Sequence, residues 1–217
     1  MKDDLLFGSL DIPELDKSAA LKIVGDLPDD LWFWDSYRAV WMLPMMTIGG
    51  HVGREGTRPV QASNANSGLE WVNYAPEIIK NYFEHFVFPW MGTRPRIVIL
   101  KTAPRSQNNE HIDCTESEFK TRQHKFRLVL SGPTSSLYFL SSEGRLHVPE
   151  TTLPYIMDGS WPHGMINDSD IPKITICAGA PWNGSALYPR FKHYISRSSI
   201  HLPESFHQYF KPSTPTR

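Results

Sequence analysis

The feature that most narrows the fold is the punctuation of the second half of the chain. After Pro95 short apolar runs recur: "RIVILKTA", "EHIDC", "KFRLVLSG", "SSLYFLS", "GRLHVP", "LPYIMDG", "HGMIN" and "KITICAG", each bounded by Gly, Pro, Ser or Asn. Runs of this length between turn residues read as strands. The 18 prolines, 14 glycines and 12% aromatic residues point the same way, toward strands joined by turns and away from a helix bundle. Eight such strands after two helices predict a mainly β fold, a double-stranded β-helix (jelly roll, cupin-like) with flanking N-terminal helices.

Upstream, "LLFGSLDI" and "YRAVWMLPMMTI" read as strands, and "PELDKSAALKIVGDL" as a helix with Pro13 near its start. The clearest helix is "APEIIKNYFEHFV", with Ile78, Ile79, Tyr82, Phe83 and Phe86 along one face as core. Between Gly49 and Gly68 lies a polar, glycine-containing stretch without periodicity, expected to be a lid. The tail "LPESFHQYFKPSTPTR" reads as one turn of helix and a frayed end. A length of 217 residues suits a single domain, 1–217, with a helix-rich part at about 1–94, a jelly-roll core at about 95–180 and a C-terminal extension at 181–217.

A net charge of -1 supplies no field that would recruit nucleic acid. Cys114 and Cys177 are too few for a disulfide framework, the N-terminus lacks the apolar core of a signal peptide, and no apolar run reaches membrane length. The expected setting is the cytoplasm, with a small-molecule partner, no nucleic acid and no membrane. The glycosylation sequons at Asn167 and Asn183 are then coincidences.

Chemistry enters at "QNNEHIDCTESEF". His111 and Asp113 are two apart, and on an extended strand residues two apart share a face, so an imidazole and a carboxylate can close on one ion. His163, in "DGSWPHGMIND", is the candidate third ligand. Two histidines and one carboxylate on one side of a metal leave positions open, the arrangement of non-heme Fe(II) oxygenases. Lys173 opens "KITICAG" ten residues after His163, where a cation among apolar residues needs an anionic partner, and a bound dicarboxylate would be one.

His111, Asp113, His163 and Lys173, in this order and spacing, resemble the Fe(II)/2-oxoglutarate-dependent dioxygenases. Arg127, at the start of "KFRLVLSG", makes the chain similar to the aspartyl/asparaginyl β-hydroxylase-like branch, which includes bacterial cis-proline hydroxylases. The similarity runs from about residue 30 to residue 180. It implies Fe(II) on His111, Asp113 and His163, and 2-oxoglutarate anchored on Lys173 with Arg127 nearby. It also implies O2 as oxidant and hydroxylation of an unactivated C–H of an amino acid or small derivative, with succinate and CO2 as coproducts. Asp113 argues against a halogenating variant, whose iron lacks that carboxylate. Two departures stand out. Many members carry Arg where this chain has Lys173, which offers a point charge and no two-pronged fork. The segment after Asp113, "CTESEFKTRQHKF", is longer than in the proline hydroxylases and charged, and is expected to face the substrate entrance.

Plainer readings stand beside these. His111 and Asp113 would also suit a surface strand end, and "WPHG" would make His163 a turn residue. Arg127 would pair equally well with Asp158, and Trp161 would either wall the substrate pocket or simply pack. His124 and His147 read as surface histidines, and Cys114 as a small packed hydrophobe. "GGHVGREG" lacks the Walker lysine pattern, and no nucleophile elbow is present. The alternative functions are an oxygenase acting on a peptide, protein or natural-product intermediate, and a non-catalytic jelly-roll binding module. A cupin-like metal enzyme without an oxo-acid would want more histidines beside His111.

Overall fold

The structure, a computed structural model, describes residues 4–50, 68–92, 94–116, 119, 124–179 and 187–210. Its strands in chain order are β1 (Leu5–Leu10), β2 (Phe33–Asp35), β3 (Val40–Ile48), β4 (Leu69–Trp71), β5 (Ile97–Thr102), β6 (Ser106–His111), β7 (His124–Ser131), β8 (Leu137–Ser141), β9 (Gly144–His147), β10 (Tyr155–Asp158), β11 (His163–Asn167), β12 (Lys173–Ala178) and β13 (Phe191–Ser196). Its helices are α1 (Lys17–Gly25), α2 (Glu77–Tyr82) and α3 (Phe88–Met91), with a π turn (Phe83–Val87) joining the last two.

From β5 to β12 the chain passes back and forth between two sheets. β5, β7, β10 and β12 lie in the larger, ordered β10-β7-β12-β5, while β6, β8, β9 and β11 form the smaller, ordered β6-β11-β8-β9. That alternation defines the double-stranded β-helix, as the strand-and-turn pattern predicts. β1 and β13 extend the larger sheet at the β10 edge, β3 and β2 extend it at the β5 edge, and β4 pairs with β3. The part before residue 95 is therefore less helical than expected, because strands β1 to β4 join the jelly roll's own sheet. Three strands of that sheet, β2, β4 and β13, are too short or too polar in pattern to stand out in the sequence.

The two-residue period of the strands sorts the interior. Phe126, Leu128 and Leu130 of β7, Ile176 and Ala178 of β12, and Ile97 and Ile99 of β5 face the helices, where they pack with Val24, Ile79, Phe83 and Val87. Val129 of β7 faces the other way, into a second cluster with Leu137 and Phe139 from the smaller sheet and with Tyr155, Met157 and Trp161. The charged members of β7, Lys125 and Arg127, alternate with the apolar ones and share the face of Val129. Helix α1 begins at Lys17, later than Pro13 suggests, because the Asp16 side chain accepts the Ala19 N–H and caps it. Helix α3 ends at Gly92, whose φ of 70° reverses the chain toward β5. The tail holds one short helical turn, Phe206–Tyr209.

Among the described residues no helix is long and apolar enough to cross a membrane. Asn167 is buried, with its amide donating to the Ala103 and Ile171 carbonyls, which leaves no side chain for a glycan. Asn183, residues 51–67 of the expected lid, and residues 117, 118 and 120–123 of the charged segment after Asp113 lie outside the described residues.

Candidate metal centre

Antiparallel pairing of β6 and β11 sets His163 directly opposite His111. Their rings lie 4.5 Å apart between centroids. β6 ends at His111, so Asp113 does not share a strand face with it as the H-x-D spacing suggests. It sits in the bend beyond, held by its own N–H donating to the Gly159 carbonyl at 2.7 Å. The bend brings the carboxylate round to the same point: Asp113 Oδ1 lies 3.7 Å from His111 Nε2, and Oδ2 lies 3.9 Å from His163 Nε2. One donor atom from each residue falls within 4.8 Å of the others. The surface strand-end and turn readings are thereby displaced, since both histidines are buried.

Each imidazole is oriented from behind. His111 Nδ1 lies 2.7 Å from the Asn109 carbonyl, and His163 Nδ1 lies 2.8 Å from the Trp161 carbonyl. A carbonyl only accepts, so Nδ1 carries the proton and Nε2 presents its lone pair to the shared point. Burial drives the His111 pKa down to about 3, with His163 adding to the effect, and burial also lowers that of His163. Both rings are neutral at physiological pH, the form that ligates metal. The donor set therefore fits a divalent ion bound on one side: two neutral imidazole nitrogens and a carboxylate, each already oriented by a second contact.

Burial by itself would push the Asp113 carboxyl up, but the Arg38 guanidinium, with Lys125 and the two histidines, holds it well below the usual carboxylate range. Arg38 is the residue that sequence reading missed. Its Nη2 donates to Asp113 Oδ1 at 2.7 Å and its Nη1 to Asp35 Oδ2 at 2.8 Å. The turn that delivers it is built by Asp35, whose Oδ1 accepts the N–H groups of Tyr37 and Arg38, and Ala39 follows at a φ of 53°. Asn109 ties this turn to β6 by donating from Nδ2 to the Tyr37 carbonyl. The Asp-x-x-Arg turn was visible in the sequence, but its target lies 75 residues away.

Arg127 does not pair with Asp158, which is buried and bonded to Arg197 and Ser160. It reaches toward the triad instead, with Nη2 3.7 Å from Asp113 Oδ2. Lys173 is buried at the start of β12, donating from Nζ to the Pro133 carbonyl, and the Glu150 carboxylate acts on it as an opposing charge. Thr175, two residues on and on the same face, buries a hydroxyl with no hydrogen-bond partner. That orphan lies between Lys173 and Cys177, and Cys177 is the cross-strand neighbour of Arg127. Sequence reading missed it for want of any sign that a threonine in a strand lacks a partner.

Trp161 is buried in the core between the sheets, with its indole N–H donating to the Leu140 carbonyl at 2.7 Å and Arg197 stacked over its ring. His124, expected at the surface, is buried, with Nδ1 2.6 Å from the Tyr188 hydroxyl. His147 is exposed as expected. Cys114 is half-buried beside Asp113 and forms no disulfide among the described residues.

No family model and no curated protein matches the chain. Among solved structures it is similar to a 2OG-Fe(II) oxygenase family oxidoreductase from Burkholderia pseudomallei, at 13% identity and a TM-score of 0.47, over 81% of this chain and 82% of that one. It is similar also to a Pseudomonas putida prolyl-4-hydroxylase, at 10% identity and a TM-score of 0.47, over 79% and 91% of the two chains. A third is AviO1 from Streptomyces viridochromogenes, at 12% identity and a TM-score of 0.43, over 87% and 94%. Likeness this distant assigns no activity, and the functional argument rests on the residues of the site.

Proposed function

We propose that this chain is an Fe(II)/2-oxoglutarate-dependent dioxygenase, a hydroxylase of an unactivated C–H in an amino acid or small amino-acid-derived molecule, with succinate and CO2 as coproducts. The observation that carries the reading is the convergence of His111 Nε2, His163 Nε2 and the Asp113 carboxylate on one point between the two sheets of a jelly roll. These three residues would hold Fe(II), which when bound supplies activation of O2 coupled to decarboxylation of the oxo-acid.

The chain's own residues supply placement. The Asn109 and Trp161 carbonyls fix the imidazoles in their ligating tautomer, and Arg38 keeps Asp113 ionised. Lys173 and the unpaired Thr175 hydroxyl, on one face of β12, receive the far carboxylate of 2-oxoglutarate, and Arg127 faces the path between them and Asp113. A buried ammonium and an orphan hydroxyl side by side are costly without an oxygen ligand, which supports this use. Trp161 supports His163 through its backbone carbonyl, while its ring packs in the core between the sheets. The whole chain, from β1 through β13, acts as one domain around this site.

The test is anaerobic titration of the Fe(II)-loaded protein with 2-oxoglutarate, following the visible charge-transfer absorption of a chelated oxo-acid. The expected result is a saturable band that Lys173→Ala weakens. Iron binding without the band sinks the cosubstrate assignment and favours a binding module.

A further inference from the structure

Among the described residues, the interior face around the triad holds more positive charge than its carboxylates balance. Arg38, Arg96, Lys125 and Arg127 all act on Asp113 or its neighbours, and the carboxylates set against them are Asp113 and Asp35. Arg38 spans both carboxylates, and Arg127 lies beside Asp113. The side chains of Lys125 and Arg96 have no hydrogen-bonded or ion-paired partner among the described residues. Both residues are half-buried overall, and their charged ends are enclosed, with burial lowering the pKa of each.

Register places the two cations together. Phe126 of β7, Ala178 of β12 and Ile97 of β5 stand in one row across the sheet. One residue further toward the site, the row is Lys125, Gly179 and Arg96, with the Gly179 N–H donating to the Arg96 carbonyl at 2.7 Å. The outer strands of this row are two strand spacings apart, roughly 9–10 Å. The middle position is a glycine, so it puts no side chain of its own between them. Arg96 leans over it, with Nε 4.0 Å from where a Cβ on Gly179 would stand. Two cations therefore flank a glycine on the face that carries Arg127 and looks toward Asp113.

A divalent ion on the triad and a dianionic 2-oxoglutarate would cancel one another and leave this excess as it is. We propose that Lys125 and Arg96, across Gly179, form the seat for an oxyanion of the substrate, so that the molecule oxidised carries a carboxylate or phosphate group. This rests on the oxygenase reading and narrows it to acidic substrates. A guanidinium beside an ammonium suits an oxyanion, because a planar fork and a point charge together satisfy two or three of its oxygens. Burial lowers the Lys125 pKa to about 8, a cost that a bound anion relieves.

The experiment uses the full chain loaded with Mn(II) and N-oxalylglycine, an inert mimic of 2-oxoglutarate. Affinities for acetate and for inorganic phosphate are read from thermal unfolding midpoints against concentration, with potassium chloride as the ionic-strength control. The expected result is saturable stabilisation by one of the two probes, and which one responds distinguishes carboxylate from phosphate. Lys125→Met and Arg96→Met should each weaken that binding roughly tenfold to a hundredfold, as for loss of a charge-assisted hydrogen bond. Each variant should fold at least as stably as the parent without anion, since it removes an unpaired enclosed charge. Equal affinity in parent and variants, or a response matched by chloride, overturns the proposal. Loss of N-oxalylglycine binding in these variants also overturns it, by giving the two cations to the cosubstrate. An absent charge-transfer band with intact anion binding would instead overturn the oxygenase reading and leave the seat standing.

Discussion

Replacing Lys173 with Met keeps an unbranched stem and removes the charge. Burial brings the ammonium pKa from 10.5 down to about 7, with Glu150 opposing the shift. At 1.36 kcal/mol per unit the cationic form carries roughly 5 kcal/mol of cost in the folded protein without ligand. The folded state binds fewer protons than the unfolded one between about pH 7 and 10.5. The cost is therefore full below pH 7 and disappears as pH rises to 10.5. At pH 9 roughly 2 kcal/mol of it remains. Lys173→Met loses the contact with the Pro133 carbonyl, about 1–3 kcal/mol, while Glu150 stays satisfied by the Thr134 and Ser135 N–H groups. The variant without ligand should then be more stable than the parent at pH 6.5 by a few kcal/mol, and the gain should shrink by about 3 kcal/mol at pH 9. Urea denaturation of both proteins at pH 6.5, 8 and 9 measures the difference, in which groups common to both cancel. A variant less stable than the parent at pH 6.5, or a difference unchanged across this range, would refute the idea that Lys173 is a strained cation awaiting an anion.

Other outcomes follow from the same contacts. Asp113→Ala should abolish retention of Mn(II) through dialysis while the far-ultraviolet circular dichroism stays that of the parent; full metal content would remove Asp113 from the ligand set. Arg38→Gln leaves two carboxylates without their shared cation and should cost roughly 3–5 kcal/mol. Mn(II) should restore part of that loss by taking the guanidinium's place on Asp113, and denaturation with and without the ion reads the difference. Gly164→Ala puts a Cβ 2.5 Å from the Tyr138 hydroxyl, next to His163, and should destabilise by about 1–3 kcal/mol. Tyr138→Phe in the same chain should recover part of that loss in a melting experiment, and no recovery would place the strain elsewhere.

Much of this site could be read before any fold was known. The two-residue alternation of β7 already put Lys125 and Arg127 on one face and Phe126 and Leu128 on the other. The His111, Asp113, His163 and Lys173 spacing offered three candidate metal donors and a candidate cosubstrate anchor, and the structure brings the three donors together. What the strand argument had wrong was the route: Asp113 reaches the metal point from a bend, because β6 stops at His111 and the Gly159 carbonyl catches the next turn. His124 was misplaced because a histidine beside charged residues looks solvated, and only packing against Tyr188 buries it.

Turn chemistry, capping and hydrophobic period act over a few residues, so the amino-acid order alone pointed to the strands of the jelly-roll core and the kinds of donor available, while Phe86, expected on the buried helix face, is exposed. Register and packing act across the whole chain and were settled only by the tertiary structure. They set His163 opposite His111, carried Arg38 from a distant turn onto Asp113, and drew β1 and β13 into the jelly roll's larger sheet. They also placed Lys125 and Arg96 on either side of Gly179, since charges on separate strands meet only when those strands pair in one particular alignment.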